Sequence, residues 1–382
     1  MTDEEKQLLL KGAPSLYIPN KLPIDTFSLI NSELLKLLSK ANKAIGEYTG
    51  FLLNIPNPNL LLAPITTQEA VLSSKLEGTH ATLEDILNHE AGNKTNIEDD
   101  EIKEILNYRH ALVYALENIS IMSELGDKES KSPLTVKIIQ EMHKILLDNV
   151  RGAAKHPGQL KISQNYIGGS QHISFTPLPA TLTLEYMSNL ERYIHHEEVD
   201  ILLQAAIIHA QFEMIHPFED GNGRIGRLLI PLFLYYSGLI PLPIFYMSSF
   251  FENDRSLYID KLSNISKKGE WFEWIFYFLS GVIIQAKLNT LKAREILNLY
   301  DEFKHHSDEI KSYYYIAILD FIFQHPIFTA KQLAQSVQAS KQTIYTVLNK
   351  MLDLKLISST DNTKNKTFLC EKLIDIVDYQ IS

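Results

Sequence analysis

Twelve consecutive residues, 216–227, concentrate the side chains of this chain that could carry chemistry. They read His-Pro-Phe-Glu-Asp-Gly-Asn-Gly-Arg-Ile-Gly-Arg. Histidine is the side chain whose pKa suits removal of a hydroxyl proton near neutral pH, so His216 is the expected general base. Asp220 supplies a hard oxygen ligand of the kind that holds Mg²⁺ against phosphates. A base and a metal ligand this close together predict chemistry on a phosphorylated substrate.

The glycines and arginines of the same stretch predict an anion site. Gly221 and Gly223 permit backbone geometries that a side chain would forbid, and a helix is expected to start near Arg224. Such a turn aims several N–H groups and the positive helix end at one point. Arg224 and Arg227 share a helix face and could grip one polyphosphate, while Asn222 could donate to a phosphoryl oxygen in the transition state. Ordinary capping glycines with surface arginines are the alternative, and they would explain a Gly-x-Gly alone.

Two apolar segments are expected to position this stretch. Asp200 to Met214 has the apolar repeat of a helix, which Pro217 ends, and Phe218 is expected to point into the core. Leu228 to Met247 is almost wholly apolar and long enough to span a bilayer. Three prolines and a glycine interrupt it, so a buried core helix ending near Gly238, and a soluble protein, are the better interpretation.

The stretch resembles the signature of the Fic family, His-x-Phe-x-Asp/Glu-Gly-Asn-Gly-Arg-x-x-Arg, and matches each fixed position. The resemblance implies a protein adenylyltransferase that moves AMP from ATP to a Tyr, Thr or Ser hydroxyl of a protein and releases pyrophosphate. It implies that His216 is the base and that Asp220 holds Mg²⁺ between the α- and β-phosphates. It implies that the phosphates are cradled by Gly221, Asn222, Gly223, Arg224, Ile225, Gly226 and Arg227.

The resemblance also implies a role for a second segment, Ser73 to Gly78. Taken alone, Glu77-Gly78 would be a solvated acid followed by a helix-ending glycine. Beside the stretch at 216–227 it resembles the inhibitory motif Ser/Thr-x-x-x-Glu-Gly/Asn of many Fic proteins. In that motif the glutamate pairs with the second arginine, here Arg227, and takes the space of the γ-phosphate. Ser73, Glu77 and Gly78 are therefore the expected inhibitory residues.

Two further features follow from the resemblance. Residues 160–179 carry β-forming side chains around Gly168-Gly169, which predicts a hairpin. It could be a plain surface hairpin or the Fic flap, which aligns an extended target segment by main-chain hydrogen bonds. Lys161 stands near the place where relatives often have arginine. Tyr258 falls where Fic proteins carry a nucleotide-contacting tyrosine, and a half-buried helix aromatic is the equal alternative.

Composition limits the classes of protein. The chain has 382 residues with 45% hydrophobic side chains, enough for a large core and a second domain. A net charge of −10 argues against nucleic-acid binding along the whole chain. Cys370 is the single cysteine, which suits a reducing cytoplasm, and the first thirty residues lack a signal-peptide pattern.

The predicted fold is mainly α: a Fic helical bundle with a β-hairpin flap, followed by a small winged helix-turn-helix domain. The expected divisions are 1–60 (arm and helix), 61–290 (catalytic core, with inhibitory helix 64–78 and flap 160–179) and 307–382 (winged helix). Winged helices bind DNA, but they also serve dimerisation and protein docking. The residues that would face a DNA groove are Lys341, Gln342, Thr343, Tyr345 and Lys350.

Other functions stay open at this level. Glu77 could orient a water and make the site remove AMP instead, and Fic-like proteins also move UMP, phosphocholine or phosphate. The chain could also be a DNA-bound regulator whose core senses a ligand. Its 18 tyrosines make self-modification conceivable, as is inhibition across a homodimer.

Overall fold

Helices form most of the chain in the computed structural model, which describes residues 12–55, 57–119, 132–150, 155–169, 172–360 and 366–380. The helices of the first two-thirds are α1 (Ser32–Leu53), α2 (Asn59–Lys75), α3 (Leu83–Glu90), α4 (Asp99–Asn118), α5 (Val136–Leu146), α6 (Thr183–Ile194), α7 (Ile201–Ile215), α8 (Asn222–Tyr236), α9 (Ser248–Asn253) and α10 (Arg255–Lys268). They are followed by α11 (Trp271–Lys304), α12 (Ser307–Ile310), α13 (Tyr315–Gln324), α14 (Ala330–Ser336), α15 (Lys341–Asp353) and α16 (Glu371–Asp378). The strands are β1 (Ile167–Gly169), β2 (His172–Phe175), β3 (Ile327–Thr329), β4 (Ser358–Ser359) and β5 (Thr367–Leu369).

The centre of the core is the pair α7 and α8, which pack against each other. α7 begins where the Asp200 carboxylate accepts hydrogen bonds from the N–H groups of Leu202 and Leu203, as an N-cap should. Both helices are buried along nearly their whole length. α11 covers α7 and α1, and the indole N–H of Trp274 donates to the carbonyl of Ala206 at 2.9 Å. The end of α7 at Ile215 and the start of α8 at Asn222 are therefore held in place by the helices packed around them.

The mainly helical prediction is confirmed, and several predicted boundaries change. α8 begins at Asn222 and not near Arg224. The helix expected at 64–78 runs from Asn59 to Lys75, so Glu77 and Gly78 lie just beyond its end. Residues 290–304, between the divisions expected at 61–290 and 307–382, belong to α11, which keeps a buried face as far as Phe303.

The apolar segment 228–247 divides as expected into the rest of α8 and a non-helical part. None of the helices in the described ranges is both long and apolar enough to cross a membrane.

The hairpin predicted at 160–179 is present as β1 and β2, which pair antiparallel with Ile167 opposite Phe175. Residues 170 and 171 at its tip lie outside the described residues. Part of the N-terminal arm, whose first eleven residues also lie outside them, follows the far end of this hairpin. The Tyr17 N–H donates to the Thr176 carbonyl at 3.0 Å, and the Thr176 hydroxyl donates to the Pro14 carbonyl at 2.7 Å.

The C-terminal part contains the expected short helices and strands. Its sheet is antiparallel in the order β3-β5-β4, and the side chains of Thr329 and Ser340 cap α14 and α15. Residues 361–365, between β4 and β5, lie outside the described residues. Lys350 corrects one prediction: its ammonium donates to the Ile310 carbonyl at 2.6 Å and so turns toward α12, away from a groove-facing role. The winged-helix classification and DNA binding stay predictions.

Candidate active site

His216 stands at the junction between α7 and the loop, in a left-handed conformation with φ 49° and ψ 62°. Its Nδ1 lies 3.3 Å from the Glu213 carbonyl oxygen. Because a carbonyl can only accept, Nδ1 carries the proton and Nε2 keeps its lone pair. Burial, and then the nearby Lys161 ammonium, lower the pKa of His216 to about 4. The imidazole is therefore neutral at pH 7, which is the state that a general base requires.

Lys161 and Asn165 fasten the loop from the side of the hairpin. The buried Lys161 ammonium donates to the Ile215 carbonyl at 3.0 Å and to the Asn165 side-chain oxygen at 2.9 Å. The Asn165 amide then donates to the carbonyls of His216 and Phe218, at 3.0 and 2.8 Å. Burial lowers the pKa of Lys161 from 10.5 to about 7. These two residues, absent from the predicted site, fix the backbone around the expected base.

His143 packs against the loop at Phe218 and Asp220. Its ring stacks on Phe218 with 3.8 Å between ring centroids. Nδ1 accepts from the Gly158 N–H at 2.9 Å, so Nε2 carries the proton and donates to the Asp220 carbonyl at 2.8 Å. Burial lowers the pKa of His143 to about 4, which keeps this tautomer neutral. The prediction that Phe218 anchors the loop in the core agrees with its complete burial.

Asn222 and Arg224 are placed differently from the prediction. The Asn222 side chain exchanges two hydrogen bonds of 2.8 Å with the N–H and the carbonyl of Phe218. It thereby closes the loop, and its expected role as a donor to a phosphoryl oxygen stays a prediction. The Arg224 guanidinium pairs with Glu104 at 2.9 Å, and each side chain is only 3% exposed. Arg224 therefore ties α8 to α4 in this structure, and its expected contact with a polyphosphate stays a prediction.

Arg227 is the arginine that reaches the expected inhibitory segment. Its Nε donates to the Ser73 hydroxyl and one terminal nitrogen to the Ser73 carbonyl, both at 2.8 Å. The same nitrogen donates to the Glu77 carboxylate at 2.7 Å. A Cβ on Gly223 would collide with that carboxylate, so this glycine leaves the room for Glu77. Gly78, with φ +94°, then turns the chain away from the end of α2.

The electrostatics of the pair follow from its surroundings. Burial alone would lower the pKa of Arg227, but the Glu77 carboxylate raises it above its usual range. Burial would likewise raise the pKa of Glu77, and the Arg227 guanidinium holds it below the usual value. Both groups are therefore charged at neutral pH.

One cleft, with a volume of about 260 Å³, brings most of these groups together. Among the predicted residues, it is lined by Glu77, His216, Asp220, Gly221, Asn222, Gly223, Arg227 and Tyr258. Three residues of the predicted phosphate cradle do not line it. Arg224 faces Glu104, Ile225 is fully buried in the core, and Gly226 packs against Glu213. The cradle that faces the cleft is thus Gly221 to Gly223 together with Arg227.

The position of Tyr258 is compatible with both interpretations of this residue. It is buried, and its ring stacks on Phe251 with 4.3 Å between centroids, yet it also lines the cleft. Its hydroxyl donates to Nε2 of His209 at 3.0 Å, because His209 Nδ1 donates to the Gly226 carbonyl. Burial lowers the pKa of His209 to about 3, so the acceptor nitrogen stays unprotonated.

Two cleft residues were missed by the sequence prediction. Glu213 precedes His216 by one helical turn, and a carboxylate within the apolar run of α7 was a signal that could have found it. Arg255, at the start of α10, donates to the Leu76 carbonyl at 3.0 Å and so holds the chain just before Glu77. No local pattern marked Arg255.

Asp220 is the residue in this cleft that suits Mg²⁺. Its side chain is 40% exposed, and one carboxylate oxygen accepts from the Gly221 N–H at 2.6 Å. Among the described residues, no group of three or more His, Cys, Asp or Glu side chains could hold a metal. Because Mg²⁺ usually binds one or two carboxylates together with substrate phosphates, a single half-exposed aspartate fits this ion.

The fold and the cleft define a mainly helical protein with a glycine-containing loop between two core helices and a neutral histidine at its rim. Two family models match the chain: "Fic/DOC family N-terminal" over residues 35–117 and "Fic/DOC family" over residues 133–234. The second range includes His216 to Arg227. The chain therefore contains both of these Fic/DOC domains.

Relatives and solved structures agree with this assignment. The chain is 31% identical over 127 residues to "Protein adenylyltransferase fic-1" of Caenorhabditis elegans, which is 32% of this chain and 23% of that protein. It is 34% identical over 148 residues to "Protein adenylyltransferase Fic" of Drosophila melanogaster, which is 38% of this chain and 27% of that protein. The match thus spans about a quarter of these relatives.

The fold resembles a Fic family protein from Desulfovibrio desulfuricans, with a TM-score of 0.57, 18% identity and coverage of 89% of this chain and 96% of that one. It also resembles a Fic domain containing signaling protein from Bacteroides thetaiotaomicron. That similarity has a TM-score of 0.51, 22% identity and coverage of 68% and 96%.

Proposed function

We propose that this protein is an adenylyltransferase that moves AMP from ATP to hydroxyl groups of proteins and is inhibited by Glu77. One observation carries the proposal: His216, Asp220 and Arg227 line the same cleft, and the Glu77 carboxylate forms an ion pair with Arg227. The name "protein adenylyltransferase" of the relatives at 31–34% identity supports the same reaction.

The chain's own residues suit each part of the transfer. Nε2 of His216, unprotonated because Nδ1 faces a carbonyl, takes the proton of the target hydroxyl. The hydroxyl oxygen bonds to the α-phosphorus of ATP, the bond from that phosphorus to the bridging oxygen breaks, and pyrophosphate leaves. The N–H groups at the start of α8 and the Arg227 guanidinium stabilise the phosphate charge. Asp220 would hold Mg²⁺, which neutralises phosphate charge when it is bound.

Inhibition follows from the position of Glu77. Its carboxylate lies against Gly223 and pairs with Arg227, where it excludes a phosphate group of like charge. ATP can therefore bind in the transfer geometry only after Glu77 leaves Arg227.

The test is incubation with Mg²⁺ and ATP labelled at the α-phosphate, using wild type, Glu77→Gly and His216→Ala. Labelling of the protein itself or of lysate proteins that rises in Glu77→Gly and is lost in His216→Ala is the expected result. With the purified protein alone, ATP labelled at the γ-phosphate must give no labelled protein. Labelling of Glu77→Gly no higher than that of wild type, or equal labelling by Glu77→Gly and Glu77→Gly/His216→Ala, would refute the proposal.

The exposed part of the Glu77 carboxylate favours a second activity in the same cleft. Its side chain is 37% exposed, so it could orient a water for removal of AMP from a modified protein. Release of AMP from a labelled protein by wild type, and its loss in Glu77→Gly, would indicate this reverse reaction.

A further inference from the structure

Glu213 lies against the edge of His216 that faces away from the expected proton transfer. Its carboxylate Oε2 is 3.9 Å from Nδ1 of His216, the nitrogen that carries the proton. Both side chains are shielded, with 19% of His216 and 13% of Glu213 exposed. In such surroundings an ionised carboxylate acts strongly on a neighbouring charge.

The packing around the Glu213 carboxylate leaves space for it beside α8. A Cβ on Gly226 would collide with Oε1 of Glu213, so α8 offers a glycine where the acid packs. Oε1 is buried and has no hydrogen-bond partner within the described part of the chain. A buried acid with one oxygen unsatisfied and the other beside a histidine is costly for folding alone, which indicates a role in the site.

Several charged or titratable groups face this pair from the neighbouring elements. Arg227 on α8, Glu77 beyond α2 and the neutral Tyr258 on α10 act on Glu213. Lys161 lowers the pKa of His216, and Glu77 raises it. Burial raises the pKa of Glu213 to about 7, Arg227 opposes this rise, and Glu77 adds to it. Departure of Glu77 from Arg227 therefore favours the ionised form of Glu213.

We propose that Glu213 is the positioning residue of His216: its carboxylate stabilises the imidazolium that forms when Nε2 takes the proton of the target hydroxyl. This inference rests on the proposed function. In the transfer step the O–H bond breaks, its proton moves to Nε2, the oxygen bonds to the α-phosphorus and pyrophosphate leaves. The positive charge that then reaches Nδ1–H meets the Glu213 carboxylate. Release of Glu77 thus frees Arg227 and also favours the ionised form of Glu213.

The first experiment measures the pair without any substrate. Histidines are labelled with ¹³C at Cε1, and the His216 resonance is assigned by its loss in His216→Ala. In the Glu77→Gly protein we expect this resonance to shift between about pH 5 and 8, because Glu213 ionises there, below the pKa of about 7 that it has beside Glu77, while the ring stays neutral. The shift should vanish in Glu77→Gly/Glu213→Gln and persist in Glu77→Gly/Glu90→Gln, where a different acid is neutralised. A resonance that is silent in this range, or one that shifts equally in the Glu213→Gln protein, would overturn the pairing.

The second experiment measures the rate of AMP transfer in the same variants. For the Glu77→Gly protein, ionisation of Glu213 should raise the rate about tenfold between one pH unit below its pKa and one unit above it. This range lies below the corresponding range of wild type, because Glu77 no longer raises the pKa of Glu213. For Glu77→Gly/Glu213→Gln the rate should be flat over this range and at least about tenfold lower at pH 8. The Glu213→Asp change should restore part of the pH dependence, which a purely structural role would not produce.

The two experiments separate the two proposals. If the His216 resonance reports Glu213 but no variant transfers AMP, the pairing stands and the proposed function falls. If AMP is transferred with the same pH profile in the presence and absence of the Glu213 carboxylate, the pairing falls and the proposed function stands.

Discussion

The ion pair between Glu77 and Arg227 gives the sharpest prediction, the effect of Glu77→Gly on AMP transfer. The pair is short, at 2.7 Å, and only 3% of the Arg227 side chain is exposed. Breaking a fully buried pair costs about 3–5 kcal/mol. Because 37% of the Glu77 side chain reaches solvent, screening reduces this to about 2 kcal/mol. At about 1.4 kcal/mol per factor of ten, the variant should transfer AMP about 30-fold faster.

The arginine should keep its place in this variant. The Ser73 hydroxyl and carbonyl still accept two hydrogen bonds from Arg227, so the guanidinium is not left alone in the protein. We therefore expect a melting temperature close to that of wild type. Glu77→Gln, which keeps the shape and removes the charge, should give an intermediate rise in the rate.

The assay is the initial rate of label transfer from ATP labelled at the α-phosphate, at saturating Mg²⁺. Glu47→Gln removes an exposed acid on α1 and should leave the rate unchanged, as a control for net charge. A Glu77→Gly protein that is folded, binds ATP and transfers no faster than wild type would refute the inhibitory role of the pair.

Three further predictions test the elements around the cleft. Arg224→Ala breaks the buried ion pair between Arg224 and Glu104, so the free energy of unfolding should fall by about 3–5 kcal/mol in urea titrations. Unchanged stability with weaker ATP binding would contradict this and would indicate that Arg224 binds phosphate. Folding lowers the pKa of Lys161 from 10.5 to about 7, so the unfolded chain binds more protons between these values and stability rises with pH there. Lys161→Met should reduce that slope, measured as unfolding free energy from pH 7 to 9.5, and an identical slope would rule out this buried ammonium as its source. Gly78→Ala puts a side chain on a residue with φ +94°, where no atom lies within contact distance of the added Cβ. The strained backbone should destabilise the inhibited conformation by about 1 kcal/mol and so raise the rate of AMP transfer about fivefold. Gly46→Ala, within α1 and equally uncrowded, is its control and should not change the rate.

Local sequence was enough to predict what depends on neighbouring residues. Pro217 ends α7 whatever surrounds it, and the polar residues around Phe218 were enough to predict that its side chain points into the core. Arg224 shows where such reasoning stops. Its partner Glu104 lies 120 residues away, and nothing within residues 216–227 indicates that the first arginine turns to α4 while the second reaches the cleft.

Asn222 and Glu213 show the same limit of local sequence: a site role was predicted for Asn222, and Glu213 was overlooked. The Asn222 amide looked suited to a phosphoryl oxygen, but the left-handed turn at Gly221 folds it back onto Phe218. Glu213 looked like an ordinary polar residue of a helix, and only the packing of α7 on α8 places it between Gly226 and His216. A side chain's role here depends on which way the loop points it, and that direction is a tertiary property.

The position of the inhibitory acid explains how one segment could be released without disassembling the site. Ser73 lies within α2 and holds Arg227 by two hydrogen bonds, whereas Glu77 lies two residues beyond the last helical residue, Lys75. Besides its ion pair with Arg227, Glu77 is kept in place by its own N–H, which donates to the Ser74 carbonyl, by the hydrogen bond from Arg255 to the Leu76 carbonyl and by the turn at Gly78. A rearrangement of residues 76–78 would therefore remove the carboxylate and leave the guanidinium already oriented. The buried hydrogen bonds of the loop do not involve these residues, so under the proposed function the phosphate site would not have to be rebuilt after inhibition ends.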